Sequence, residues 1–487
     1  MLLILSSRLA LTRKYGPAGF AAINDALRAL ENAGGVGPAV LAYVDDESTL
    51  RSLGIKPVNP RRPSAICSLV EKVEANLGSD ARVSVLIAGG PSVVPFFRLD
   101  NPADDPDEFI FSDACYAGLH GDPLRPVRPV SRVPDTGHVS ADFFARILSR
   151  MAAQRATPPK CSNPASVSGY TASVWREAAR DVYSTAQSPA TLRMSPPWDS
   201  RDYCRLRSPE ARIHYFNLHG KPDGLVWYGQ RDPSLVADYP DFPIALRTLD
   251  ICSAEASTSA VLTEACYGAT LAPNSIANRY VHLGASAFLG STAMSYGSVS
   301  PPVSGADFLA KEVLRRLLAG SPIGESFLKA KQSFVNTMMA EQGFLDAEDQ
   351  KTMLTFILLG DPLFSPMPQT KATASRSELE LPFEPQREII CARNVEDPRP
   401  ARLRPGVLEE LEYLATRILS AADSDRSIGP LRTGQESCSN LSVSSHIRLS
   451  PGGRRVLTIR QTLPTGGTRL ARVSYSGDRV VKALVSK

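Results

Sequence analysis

Over most of its length the chain alternates short aliphatic runs with amphipathic stretches. Leu2–Ser6, residues 40–44 and residues 83–88 are continuous apolar runs, the pattern of strands buried on both faces. Between them, residues 19–32 place Phe20, Ile23, Leu27 and Leu30 on one helical face before a stop at Gly34-Gly35. Residues 64–77 turn Ile66, Leu69, Val70 and Val73 inward in the same way. This β-α-β-α-β alternation predicts a parallel sheet with right-handed crossovers. Residues 91–134 are rich in Pro and Asp, and are expected to form connections over the carboxyl ends of the strands, where open α/β sheets place their sites. A helix over 140–151 follows. The theme then repeats, with strands expected at 165–170, 213–218, Ala260–Thr263 and 285–289. Helices are expected from Val174, from Pro273, over Gly305–Leu318 and over 324–340.

The composition changes after residue 364. Residues 365–386 carry Pro, Ser, Thr and charge in the manner of an exposed linker, and an arginine-rich piece follows. That piece has one helical pattern over 405–419, a Ser/Gly-rich stretch to about residue 445 that reads as disordered, and a three-strand meander over 456–461, 469–475 and 480–485. The expected organisation is therefore an N-terminal α/β subdomain (1–160), a second α/β subdomain (161–366), a linker (367–387) and a small C-terminal α+β domain (388–487). The fold class is α/β, a mostly parallel sheet with helices on both faces.

Charge and composition narrow the function classes. A net charge of +4 over 487 residues does not call for nucleic acid or an anionic membrane as partner. No run approaches the ~20 apolar residues of a membrane span. Residues 1–5 are too short an apolar run for a signal peptide and meet Arg8 and Arg13 directly, which predicts a cytoplasmic protein without a pro-segment. The eight cysteines form no CxxC pair and no zinc-like spacing, so no metal or cofactor is expected.

Two strand ends carry the candidate chemistry. The run from Ile213 ends in His219-Gly220, and the run from Ala260 ends in Glu264-Ala-Cys266-Tyr-Gly268. Neighbouring parallel strands ending so would set an imidazole beside a thiol. A thiol is mostly protonated at neutral pH, so Cys266 needs an adjacent base to become a nucleophile, and His219 is the candidate on a matching strand end. Gly220 permits close backbone approach, making its N–H and that of Cys266 the expected oxyanion hole, each donor contributing roughly 3 kcal/mol of transition-state stabilisation. The remaining histidines are read as structural or solvated, Asp113 as fixing a loop, Asp361 as a turn or cap, and the C-terminal arginines as a solvated face.

In order along residues 1–366, these segments resemble the gingipain-type cysteine peptidases of the caspase-like group. The resemblance rests on Val85-Leu-Ile-Ala-Gly-Gly-Pro-Ser-Val-Val-Pro95, Phe111-Ser-Asp-Ala-Cys-Tyr116, Val130-Ser-Arg-Val-Pro134, Asn217-Leu-His-Gly220, Thr263-Glu-Ala-Cys266 and Leu359-Gly-Asp-Pro-Leu-Phe364. The 47-residue separation of His219 and Cys266 is close to the ~50 of the caspase signature, here with Glu264 in place of Gln. The resemblance implies a caspase-like fold and peptide hydrolysis through a Cys266 thioacyl-enzyme, with His219 as acid and base.

It also implies that Glu264, two residues before the nucleophile, lines the primary pocket. An ionised Glu264 there favours Arg or Lys at P1, with Asn second. Ser291, Thr292, Ser295 and Tyr296 are the expected pocket walls. The family pattern places a specificity acid and a third catalytic acid ahead of the His strand. Residues 167–177 carry none at the strand end, which leaves Glu177 or Asp181 as candidates. The partners expected are a protein or peptide substrate and a regulatory protein or effector acting through the C-terminal domain, with self-cleavage at Lys371, Arg376 or Arg387 as a further route of control. The rival reading is a catalytically silent caspase-fold scaffold.

Overall fold

The computed structural model describes residues 1–487 apart from 35–36, 79–82, 136–139, 158–166, 187–191, 207–209, 235–237, 258, 368–381, 387, 393–394, 397–435, 439–440, 451–453, 463–467 and 477–478. The linker expected at 367–387 falls largely outside the described residues, and the helix expected at 405–419 entirely so, as do Lys371, Arg376 and Arg387.

Ten strands form one sheet. From one edge they run Ala39–Tyr43, Leu2–Ser6, Ser84–Ala88, Val130–Val133, Phe356–Gly360, Ala287–Ser291, Ala260–Thr263, Ile213–Asn217, Val167–Ala172 and Leu192–Ser195. The first five are mutually parallel, as are the last five. The two sets meet antiparallel, where Phe356–Gly360 pairs with Ala287–Ser291. The halves therefore point their carboxyl ends at opposite edges of one sheet. Residues 91–134 leave from the carboxyl end of Ser84–Ala88 and return to the amino end of Val130–Val133, so their middle reaches the edge where the second set ends.

Period-2 alternation decides which side chains face which helix layer. Ala260, Leu262, Ala287, Leu289, Phe356 and Leu358 pack on one face with residues of helices Gly305–Leu318 and Ile323–Glu341. Val261, Phe288, Ile357 and Leu359 pack on the other, in the core that includes helices Arg8–Glu31, Pro63–Leu77 and Ile276–Leu283. Helix Arg8–Glu31 starts earlier than the expected 19–32 because Ser7 caps it by accepting from Ala10 N–H. It breaks at Gly16, φ 72°, just before Pro17.

The expected role of Asp113 in fixing a loop agrees with its contacts. The Arg132 guanidinium, fully buried, donates to both Asp113 carboxylate oxygens (2.8 and 2.6 Å) and to the carbonyls of Gly89 and Val94 (2.8 Å each). Asp113→Ala strands this cation in the core and should cost about 3–5 kcal/mol, because an uncompensated buried charge is far less tolerable than a pair. Urea unfolding reads this as a lower midpoint at constant slope; an unchanged midpoint would mean the pair contributes nothing. Asp361 likewise turns the chain, accepting from Leu363 N–H at 3.0 Å.

The C-terminal piece is an antiparallel sheet, in order Arg479–Ser486, Thr468–Ser476, Arg454–Thr462, Leu441–Ser450 and Val395–Glu396. The expected meander is present, but the reading of disorder to residue 445 is corrected, since Leu441–Ser450 is a strand. Its apolar positions are too sparse among Ser, His and Arg to announce a strand, and pairing with Arg454–Thr462 supplies what periodicity does not. At its Arg479–Ser486 edge the sheet gains a strand from the α/β unit, Tyr296–Gly297, which pairs antiparallel with Gly297 opposite Val485 and Tyr296 opposite Ser486.

Candidate active site

Adjacent parallel strands Ile213–Asn217 and Ala260–Thr263 pair with Phe216 opposite Thr263, and Glu264 N–H donates to Phe216 O at 3.0 Å. His219 lies three residues past Phe216 and Cys266 three past Thr263, so equal spacing sets them side by side at the same sheet edge. A Cβ on Gly220 would run into the Cys266 carbonyl, so only glycine allows the two loops this close. Tyr267 adopts φ 55°, a strained conformation for a bulky residue. Its N–H donates to Ala293 O (2.8 Å) and its hydroxyl to Asp107 (2.7 Å), which hold it there.

His219 is boxed in. Its ring packs against Trp175 (4.3 Å between centroids) and Phe242 (5.8 Å), and its backbone exchanges two hydrogen bonds with Tyr228. Nε2 lies 2.9 Å from Gln230 Oε1, so in the tautomer this favours Nε2–H donates and Nδ1 is the basic nitrogen. The group fixing the imidazole is thus an amide on the loop after Val226–Tyr228. Of the acids considered for this role, Asp181 is ion-paired with Lys311 at 2.9 Å, and Glu177 lies in the first turn of helix Arg176–Tyr183.

Behind the pair is a buried acidic pocket. Glu264 Oε1 accepts from Tyr215 OH at 2.7 Å. Asp307 accepts from Ser298 N–H (2.6 Å) and from Asn217 Nδ2 (3.1 Å), and both acids are fully buried. Burial, and then the neighbouring charge of Asp307, push the Glu264 carboxyl well above the usual carboxylate range. Glu264, the expected wall of the primary pocket, thus shares its buried surroundings with a second carboxyl, Asp307. Asp307 and Gln230 both escape sequence reading, because an acid in a helix's first turn looks like ordinary dipole compensation and a loop amide carries no signature.

Of the expected pocket walls, Ser295 and Tyr296 border the site directly, with Ser295 Oγ donating to Glu264 O at 2.5 Å. The hydroxyls of Ser291 and Thr292 are engaged within the loops, on Ala293 O (2.9 Å) and Phe111 O (2.7 Å). Asp105 and Asp107, from the Pro/Asp-rich connection, brace the edge. Lys351 bridges them at 2.5 and 2.6 Å, Tyr296 OH donates to Asp105 (2.8 Å), and Met294 N–H to Asp107 (2.8 Å).

Lys487 occupies the site. Its Nζ donates to Ser298 O at 3.0 Å, lies 3.3 Å from Asp307 Oδ2 and 3.7 Å from Glu264 Oε2, and sits 4.3 Å from the Trp175 ring centroid. Its backbone N–H donates to Ser295 O, and its main-chain oxygen accepts from Cys266 N–H, both at 3.1 Å. Under this cover the thiol is pushed up to about 12, chiefly by burial, and the imidazole is driven well below its usual range by burial and then by Arg469.

Residues 213–367 match the model of peptidase family C25. The matched segment marks the chain as a cysteine-type peptidase. The match begins with the His strand and runs through the Cys strand to three residues past Leu359-Gly-Asp-Pro-Leu-Phe364. A search of curated proteins gives no match. Among the described residues, no cluster of His, Cys, Asp and Glu could hold a metal ion, and no helix is long and apolar enough to cross a membrane.

Proposed function

We propose that this peptidase is an endopeptidase that cuts after Lys or Arg, with Cys266 as nucleophile and His219 as acid and base. The observation that carries the reading is Lys487: a lysine side chain fills the pocket of Asp307 and Glu264 while its main-chain oxygen rests on Cys266 N–H. A substrate residue in the same place presents its carbonyl carbon to the thiol. Nδ1 of His219 takes the thiol proton, Sγ bonds to the carbonyl carbon, and the oxyanion forms against Cys266 N–H, with Gly220 N–H as the proposed second donor. Collapse expels the amine, which takes its proton from His219. Water activated by the same imidazole then cleaves the thioester and frees the new carboxylate.

Gln230 orients the imidazole as an acid would, but without stabilising an imidazolium by charge, so His219 works mainly as a neutral base. A basic P1 side chain neutralises the buried acids, whereas Asp would add like charge to a desolvated site. The test is a panel of fluorogenic peptides with Arg, Lys, Asn or Asp at P1, assayed on the full chain. Arg and Lys should exceed Asp by roughly 10²-fold or more in kcat/KM. Cleavage after Asp alone sinks the specificity. No turnover of any peptide by the wild-type chain or by Lys487→Ala, with no labelling of Cys266 by a lysyl acyloxymethyl ketone in either, favours the scaffold.

A further inference from the structure

We infer that the C-terminal sheet is an intramolecular inhibitor of the peptidase, its strand Arg479–Ser486 lying in the cleft as a substrate backbone, Lys487 filling the basic-residue pocket and Arg469 engaging the catalytic imidazole. This deepens the proposed function and rests on its assignment of the catalytic pair.

Four features make the contact a built device rather than a chance apposition. The first is strand addition: Arg479–Ser486 pairs antiparallel with Tyr296–Gly297, and Lys487 continues that ladder through Ser295 O and Cys266 N–H. Second, Leu470 and Leu484 pack with Cys266, Met294 and Tyr296, sealing the thiol from water. Third, Arg469 donates to Gln230 Oε1 and approaches His219 Nε2 to 3.4 Å, so a cation sits on the imidazole and its orienting amide.

The fourth feature is a basic-on-acidic interface beyond the cleft. Lys482 bridges Asp346 (2.7 Å) and Asp349 (2.5 Å), Arg472 pairs with buried Glu348, and Arg454 donates to Gln342 Oε1 at 3.2 Å. The reading of the C-terminal arginines as a solvated face is corrected here: Arg469 and Arg472 are buried against the peptidase. Peptide access then requires the sheet to lift, and apparent activity scales with the fraction of molecules in which it has done so. An effector that captures the sheet's basic face would raise that fraction.

The test compares the wild-type full chain with Lys487→Ala and Lys482→Glu, using two readouts. Turnover of a Lys-P1 fluorogenic peptide should rise about tenfold or more in each variant. Alkylation of Cys266 by iodoacetamide, followed by mass spectrometry, should accelerate in Lys482→Glu whatever the P1 preference. A synthetic peptide of residues 479–487, added to the Lys487→Ala chain, should inhibit competitively, and the same peptide ending in Ala should not. Equal turnover and equal alkylation in all three proteins overturns the inhibitor. Faster alkylation without cleavage after Lys or Arg leaves the covering intact and refutes the specificity instead. Lys487→Ala removes one side chain at the margin of the sheet, so it preserves the comparison should Lys482→Glu misfold.

Discussion

Replacing Cys266 by Ala in the Lys487→Ala chain is expected to lower kcat on a Lys-P1 peptide by roughly 10⁴-fold or more, the scale on which loss of a nucleophile acts. His219→Ala should cost about 10²–10⁴-fold, the usual contribution of a positioned acid–base group. The two losses should not add, because a thiol with no base and a base with no thiol are equally unable to form the thioester. The geometry behind this is the matched spacing of the strand ends, in which Phe216 opposite Thr263 brings His219 and Cys266 to one level. Steady-state kinetics of the two single variants and the double variant decide it. If Cys266→Ala retains a tenth of the activity, the nucleophile is another group.

Asp307→Asn should cut kcat/KM for Lys and Arg substrates by about 10²–10³-fold, the consequence of removing one partner of a fully buried charge pair. In the wild-type background the same substitution should speed Cys266 alkylation, since Lys487 loses its closest carboxylate. Glu264 limits the loss: burial and Asp307 hold its carboxyl up, so removing the Asp307 charge lets it ionise more readily and stand in partly for the missing acid. Glu264→Gln combined with Asp307→Asn should therefore lose more than either change alone, and Asn-P1 peptides should be least affected. Equal losses for Asn and Lys peptides would assign Asp307 to the fold rather than to recognition.

Much of this architecture is legible in the chain because its signals are local. Continuous aliphatic runs mark Leu2–Ser6 and Ala260–Thr263, and Gly220 marks a close approach that no larger residue permits. Other features depend on contacts that periodicity does not encode. Strand direction is one, since Phe356–Gly360 reads as buried whether it lies parallel or antiparallel to Ala287–Ser291. The pocket is another: Asp307 reaches the proposed recognition pocket only because helix Gly305–Leu318 delivers it behind Asn217 and Ser298. Arg469, Arg472 and Lys487 show the same gap from the other side, because a basic face looks solvated until its acidic counterpart is placed against it.

The pairing of Tyr296–Gly297 with Ser486 and Val485 has a consequence for which proteins this enzyme cuts. The edge accepts a polypeptide through its main chain, and only an extended segment can offer the free N–H and C=O groups that such pairing consumes. Under the proposed specificity, a lysine inside a helix or an occupied sheet has those groups already committed and should stay intact. On the proposed mode of binding, conformation filters substrates before sequence does, and the bonds expected to be cut lie in the unfolded tails and long surface loops of otherwise stable proteins.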